Sequence, residues 1–269
     1  MSKKAHLAPY LTRLLDTLQQ ELKDNLLAVY LFGSAGYDAY EPDTSDVDVY
    51  AVIHEPISDY KQLSRKISHA SIPCPARKLE FVLFTRANAA LQTNNLQFEM
   101  NFNTGRDMDD YTNLDPSTEP RFWFLIDLAM GCVQGTALCG PPAGEVFAAP
   151  KVEWIIDSLI ESLDWHRRQP SLTSDGILNA CRALRFAKTG TWGSKKDGGN
   201  WVVDYFKEHD VHVVSLALDA RHSRVGVPQD QAEKFLDFPL IKDSIAQLPL
   251  IANLQEDMSP LAGSSPSIN

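Results

Sequence analysis

The pattern of apolar and polar positions divides the chain into two regimes. From Ala5 to Leu22, leucines at 11, 14, 15, 18 and 22 recur at helical spacing with polar residues between them. Asp24-Asn25 breaks this helix. Leu26 to Phe32 then reads as a short buried strand ending at Gly33-Ser34, and a turn-rich stretch runs from Ala35 to Ser45. Asp46 to Ile53 alternates at its start like a second strand. A modest helix is predicted over Asp59–Ala70, stopped by Ile72-Pro-Cys-Pro75. Lys78–Thr85 reads as a third strand and Leu96–Phe102 as a fourth, leading into an Asp-, Asn- and Pro-rich loop over 103–120.

From Arg121 onward the period becomes helical. Helices are predicted over Phe122–Gln134, Lys151–Arg168, Ile177–Thr189, Trp201–His209, Val213–Arg221 and Gln231–Leu248. Strands with a few helices, followed by helices alone, predict an α+β unit and then a helical bundle. The first is a small mixed β-sheet domain with flanking helices over 1–150, and the second an all-α domain over 151–254. The Ser/Pro/Gly-rich segment 255–269 is expected to be disordered.

Composition narrows the function classes. A net charge of −10 opposes polyanion binding, which depends on lysine and arginine neutralising phosphates, so no nucleic-acid partner is expected. A cationic small molecule suits an acidic protein better. No apolar run approaches the ~18–20 residues of a membrane-spanning helix. The start of the chain does not read as a secretion signal, and Cys74, Cys132, Cys139 and Cys181 are spread without metal-ligand spacing. A cytoplasmic protein with unpaired thiols is expected. His54, His69, His166, His209, His212 and His222 likewise show no pairing at ligand spacing.

Three features carry candidate chemistry. Gly33-Ser34 ends a buried strand, where glycine permits close backbone approach and the serine and neighbouring N–H groups suit phosphate oxygens; elsewhere such a pair is merely a turn. Eleven residues separate Ser34 from Asp46-Val47-Asp48. In a strand, positions 46 and 48 face one side, so two carboxylates adjoin and call for a compensating cation; hard oxygen ligands of this kind suit Mg²⁺. The alternative is an exposed acidic strand end. Glu80 lies alone in an apolar strand and needs a cation, a hydrogen-bond partner or a shifted pKa if buried. Beside a metal pair it suits proton abstraction or metal ligation.

Together, Gly33-Ser34, the gap, Asp46-x-Asp48 and the later strand carboxylate resemble the signature of the DNA-polymerase-β-like nucleotidyltransferase superfamily. Ala137-Leu-Cys-Gly-Pro-Pro-Ala-Gly-Glu-Val-Phe147, Leu178-Asn-Ala-Cys-Arg182, Thr189-Gly190, Ser194-Lys195 and Trp201 further resemble the streptomycin/spectinomycin adenylyltransferases and their uncharacterised relatives. The likeness spans about residues 25–250.

What the resemblance implies is an antibiotic-resistance type of activity, in which AMP passes from ATP to a hydroxyl of an aminoglycoside-like acceptor and pyrophosphate is released. Asp46 and Asp48 would bind Mg²⁺, Glu80 would act as catalytic base, and Arg182 and Lys195 would hold the phosphates. The nature of these residues agrees: Arg182 lies on a largely apolar helix and Lys195 in a Gly-flanked loop, both suited to an anionic ligand. One segment departs from the family pattern. His166-Arg167-Arg168-Gln169-Pro170, after Trp165, is basic where streptomycin-modifying members carry acids, which argues against streptomycin; Asp164 and Asp175 are the nearest acids.

Glu99, Asp107, Asp109 and Asp110 suit either a cation-binding rim or a solvated loop. Trp123, Trp154, Trp165 and Trp201 sit at core-like helical positions, while Trp192 suits packing or stacking on a base. Two other functions remain open at this level: nucleotidylation of a protein or RNA, and a catalytically silent nucleotide-binding protein.

Overall fold

The computed structural model describes residues 3–37, 39–42, 44–207, 211–223, 226–237 and 239–247. The segment 255–269, expected to be disordered, lies outside them. The chain divides into two compact units, Met1–Ser162 with Arg221–Arg224, and Leu163–Ala220 with Val225–Asn269. The division falls inside the helix Val152–Arg167.

The first unit is built on a six-stranded mixed sheet. Its strands are β1 (Leu26–Leu31), β2 (Val47–Ile53), β3 (Lys78–Thr85), β4 (Met100–Gly105), β5 (Met108–Asn113) and β6 (Thr136–Cys139), in the order β5-β4-β3-β2-β1-β6. All neighbours are antiparallel except β2 and β3. That parallel pair needs a long crossover, supplied by residues 54–77 with helix α3 (Tyr60–Ile67). The other first-unit helices are α1 (Ala8–Leu22), α2 (Gly33–Gly36), α4 (Arg86–Ala89), α5 (Arg121–Gln134) and α6 (Ala143–Val146).

Two differences from the sequence pattern bear on the site. The fourth strand begins at Met100, and the stretch expected to be loop contains β5, which closes a hairpin on it. Alternation in β5 is hidden because every side chain on this edge strand is at least partly exposed, so no apolar face is written into its sequence. The four-residue β6 was likewise too short to carry a pattern.

Both sheet faces are covered. Val29, Leu31, Val47, Val49, Ala51, Ile53, Leu79, Phe81 and Phe102 pack with Leu14, Leu18, Leu63 and Ile67 of α1 and α3. On the opposite face, Tyr30, Phe32, Tyr50, Val82 and Phe84 pack with Phe124, Ala143 and Phe147. Double coverage explains why β1–β3 read as near-continuous apolar runs. Asp48 and Glu80 interrupt those runs on the second face.

The second unit contains the end of α7 (Val152–Arg167), then α8 (Ser174–Thr189), α9 (Lys195–Tyr205), α10 (His212–Ser223), α11 (Gln229–Leu236) and α12 (Pro239–Ala246). The predicted Gln231–Leu248 helix is thus two helices, with Pro239 opening the second, as suits a residue that lacks an N–H donor. α8 is central, packing against α9, α11 and α12. Thr173 caps its start by accepting from Gly176 N at 3.3 Å, and Gly190, in left-handed conformation at φ 65°, ends it.

Trp192 stacks on Phe186 with ring centroids 3.7 Å apart, which makes it a packing residue. Trp123, at a core-like position by sequence, is 41% exposed. Among the described residues no helix is long and apolar enough to cross a membrane. Truncating Phe81, fully buried beneath α1 and α3, leaves a cavity that the sheet cannot close; Phe81→Ala should lower stability by about 3–5 kcal/mol, read from denaturant unfolding.

Candidate active site

The acidic site forms where β1 ends and β2 and β3 begin. β1 leads through Phe32, whose N–H donates to Asp48 O at 2.8 Å, into Gly33 at φ 55°. A Cβ at Gly33 would lie 1.7 Å from Asp48 Oδ2, so only glycine allows this turn to rest against the carboxylate. Ser34 follows in the single helical turn α2. The Gly-Ser pair expected as a turn thus places its backbone beside the acid.

Asp48 and Glu80 are direct cross-strand partners of the parallel pair. Both project from the face that carries Tyr50 and Val82, so their carboxyl groups lie side by side. Asp46 lies one residue before β2 begins rather than inside the strand. Arg77 grips it with a fork, Nε to Oδ1 at 2.8 Å and Nη2 to Oδ2 at 2.6 Å. Lys78 is 4.0 Å from Asp46 and makes a close ion pair with Glu80. Arg77 and Lys78, adjacent at the start of β3, therefore balance two of the acids directly.

Among the described residues Asp48 has no such partner of its own. Burial pushes its carboxyl well above the usual carboxylate range, and the charges of Glu80, Asp127 and Asp46, in that order, push it the same way. Asp127 was missed in the sequence. It lies on α5, 79 residues beyond Asp48, and Tyr50 Oη donates to it at 3.3 Å. Burial, then Asp127, Asp48 and Glu80, raise the Tyr50 phenol well above its ordinary value. A signal was present in the chain: Asp127 is the sole acid of an otherwise apolar helix.

Among the described residues no three His, Cys, Asp or Glu side chains are gathered as a metal cage. Glu99 is taken up by Tyr60 Oη at 2.9 Å and Asn88 Nδ2 at 3.0 Å, and Asp110 accepts from Thr104 Oγ1 at 2.5 Å. These bonds make Glu99 and Asp110 structural acids.

The second unit carries a separate cationic group. Lys195 is not in a loop: it is the first residue of α9, behind a capping box in which Ser194 and Asp197 exchange hydrogen bonds. Gly198 lets α9 approach α8 closely, since a Cβ there would stand 2.7 Å from the backbone N and Cα of Arg182. Lys195 Nζ pairs with Asp175 at 2.9 Å. Arg182 Nη2 donates to Asn179 Oδ1 at 3.0 Å, and Asn179 Nδ2 lies 3.0 Å from His166 Nε2. Burial, followed by the Lys195 charge, pulls the His166 pKa from 6.5 to about 4. The imidazole is therefore neutral at neutral pH, and its Nε2 serves as the acceptor for Asn179.

Comparison with known proteins follows the same division. Residues 11–101 match the family described as nucleotidyltransferase domain. Residues 145–238 match the family described as aminoglycoside adenylyltransferase, C-terminal domain. Among solved structures, the chain is similar to spectinomycin adenyltransferase AAD(9) from Enterococcus faecialis, crystallised with ATP and spectinomycin. The TM-score is 0.68 at 17% identity, covering 89% of this chain and 99% of that one. No curated protein matches.

A Gly-Ser turn resting on a strand-borne acid pair, within a chain matching these two families in series, defines a nucleotidyltransferase. The C-terminal match makes the assignment narrower: the chain is an aminoglycoside adenylyltransferase-like enzyme.

Two predictions follow from this geometry. In Gly33→Ala the left-handed backbone costs about 1 kcal/mol, and the new methyl must displace Asp48. Its melting temperature should fall by a few degrees, while pyrophosphate release falls far more steeply, at least about tenfold. For His166, the unfolded chain takes up a proton near pH 6.5 but the folded chain only near 4. The stability of the neutral ring is therefore complete above pH 6.5 and lost as pH falls toward 4. His166→Gln should flatten that acid limb in melting temperatures measured from pH 7 to 4.

Proposed function

We propose that this enzyme transfers AMP from ATP to a hydroxyl of a small cationic, aminoglycoside-like acceptor, releasing pyrophosphate. The observation carrying this reading is the gathering of Asp46, Asp48 and Glu80 beside the Gly33 turn, where like charge and burial crowd Asp48. The functional division is drawn at residues 1–150 for the transferase domain and 151–254 for the helical domain.

The acids suit Mg²⁺. This ion commonly uses one or two protein carboxylates and completes its shell with water and substrate phosphates, so a closed protein cage is not required. Asp48 offers an oxygen ligand crowded by like charge, for which a divalent ion is the natural compensation. Asp46 gives one lone-pair direction per oxygen to Arg77 and keeps others for a metal. Mg²⁺ held by Asp46 and Asp48 would supply positive charge to the triphosphate.

The remaining chemistry belongs to the chain and its substrates. The acceptor oxygen forms a bond to the α-phosphorus of ATP as the bond from that phosphorus to the pyrophosphate oxygen breaks. Pyrophosphate leaves with the bonding electron pair, and the hydroxyl proton passes to Glu80. The ion pair with Lys78 holds the Glu80 carboxylate in place beside Asp48. Gly33 and Ser34 position the phosphate chain, and Arg182 and Lys195 of the second unit neutralise its charge. The basic 166–170 segment favours an acceptor other than streptomycin.

The reading is tested by following pyrophosphate release with each NTP against an aminoglycoside panel. Activity should require Mg²⁺ and one acceptor, and Asp48→Asn should lose at least ~10²-fold in rate. Glu80→Gln should fall comparably while still binding nucleotide. Wild-type turnover by Asp48→Asn would remove that residue from the mechanism.

A further inference from the structure

Beyond Glu80 the acidic site continues across the sheet. Asp48, Glu80, Asn103 and Tyr111 stand directly opposite one another on β2, β3, β4 and β5. Paired residues in a ladder point to the same face, so these four form one polar row running from the acid pair to the sheet's edge. The next row on that face is Tyr50, Val82, Asn101 and Asn113.

A hydrogen-bond network fixes the outer half of the row. Glu119 Oε1 accepts from Asn101 Nδ2 at 3.0 Å, Tyr111 Oη at 2.8 Å and Asn113 Nδ2 at 2.9 Å. Asn101 is buried, and its Oδ1 accepts from Asn103 Nδ2 at 3.1 Å. With its Nδ2 committed to Asn101, Asn103 has a set amide orientation. Its carbonyl Oδ1 is left without a hydrogen-bond partner among the described residues, on the strand next to Glu80. The carboxylate of Glu119, at the end of the chain of amides, polarises that oxygen toward a positive donor.

We infer that Asn103 is a specificity-determining residue for the acceptor. Its Oδ1 accepts a hydrogen bond from an amine or hydroxyl on the ring carbon next to the one bearing the reacting hydroxyl. The spacing supports this, because directly opposed side chains begin about 5 Å apart and converge on groups borne by adjacent ring atoms. The ligand class is an aminated, polyhydroxylated ring, with an ammonium preferred at the neighbouring position. This inference rests on the nucleotidyl-transfer reading given above.

The test compares wild type, Asn103→Leu and Asn103→Asp in steady-state pyrophosphate release, using spectinomycin and the other acceptors of the panel. Leucine keeps the side-chain volume and removes the carbonyl; aspartate keeps an acceptor oxygen. Asn103→Leu should raise acceptor KM about tenfold, the size of one lost hydrogen bond to a charged group, with KM for Mg·ATP within twofold of wild type. Asn103→Asp should restore acceptor KM to within a fewfold.

An unchanged acceptor KM in Asn103→Leu overturns the inference. So does an equal rise in KM for Mg·ATP, which would mark a general disturbance of the sheet. Melting temperatures report whether each variant folds, and Asn103→Ala replaces the leucine variant if that one does not. Should wild type use no acceptor on the panel, the acceptor reading itself fails and this inference goes with it. Turnover by wild type with indifference to position 103 overturns the inference alone.

Discussion

Like-charge crowding at Asp48 is the constraint around which the first unit is arranged. Burial and three neighbouring carboxylates oppose its ionisation. A folded domain tolerates such a group only where cations are at hand or a ligand brings them. Arg77 and Lys78 meet part of the demand, one fork on Asp46 and one ion pair on Glu80. What they leave unmet at Asp48 is a demand for positive charge, which the proposed metal–nucleotide complex would supply.

The second unit gathers basic residues on one pair of helices. Arg182 and Lys195 stand on α8 and α9, brought close by Gly198, and each is steadied by one polar neighbour, Asn179 or Asp175. His166 remains neutral among these cations and completes the chain of bonds to Arg182 through Asn179. The sheet of the first unit thus carries excess acid, and the α8–α9 pair an excess of base.

Much of this was legible in the chain because it is written locally. The buried strands β1, β2 and β3 are continuous apolar runs, and Asp48 and Glu80 stand out as charges within them. Helical periodicity announced α5 and α7 to within a residue at each end. What escaped depends on contacts distant in sequence. Asp127 becomes part of the site only because α5 packs across Tyr50. Arg77 and Lys78 acquire meaning only when β3 lies beside β2. β5 is an exposed edge whose residues carry no alternation, and Lys195 looked like loop because the two glycines of α9 mask a helix that its capping box begins.

The single parallel pairing in the sheet also dictates when the site comes into being. Asp48 and Glu80 meet only after the crossover through α3 has folded back and set β3 beside β2. On the ribosome, residues 33–53 can complete an antiparallel hairpin with β1 while Glu80 is still being synthesised. The like-charge contact of the site is thus deferred until β3 joins the sheet.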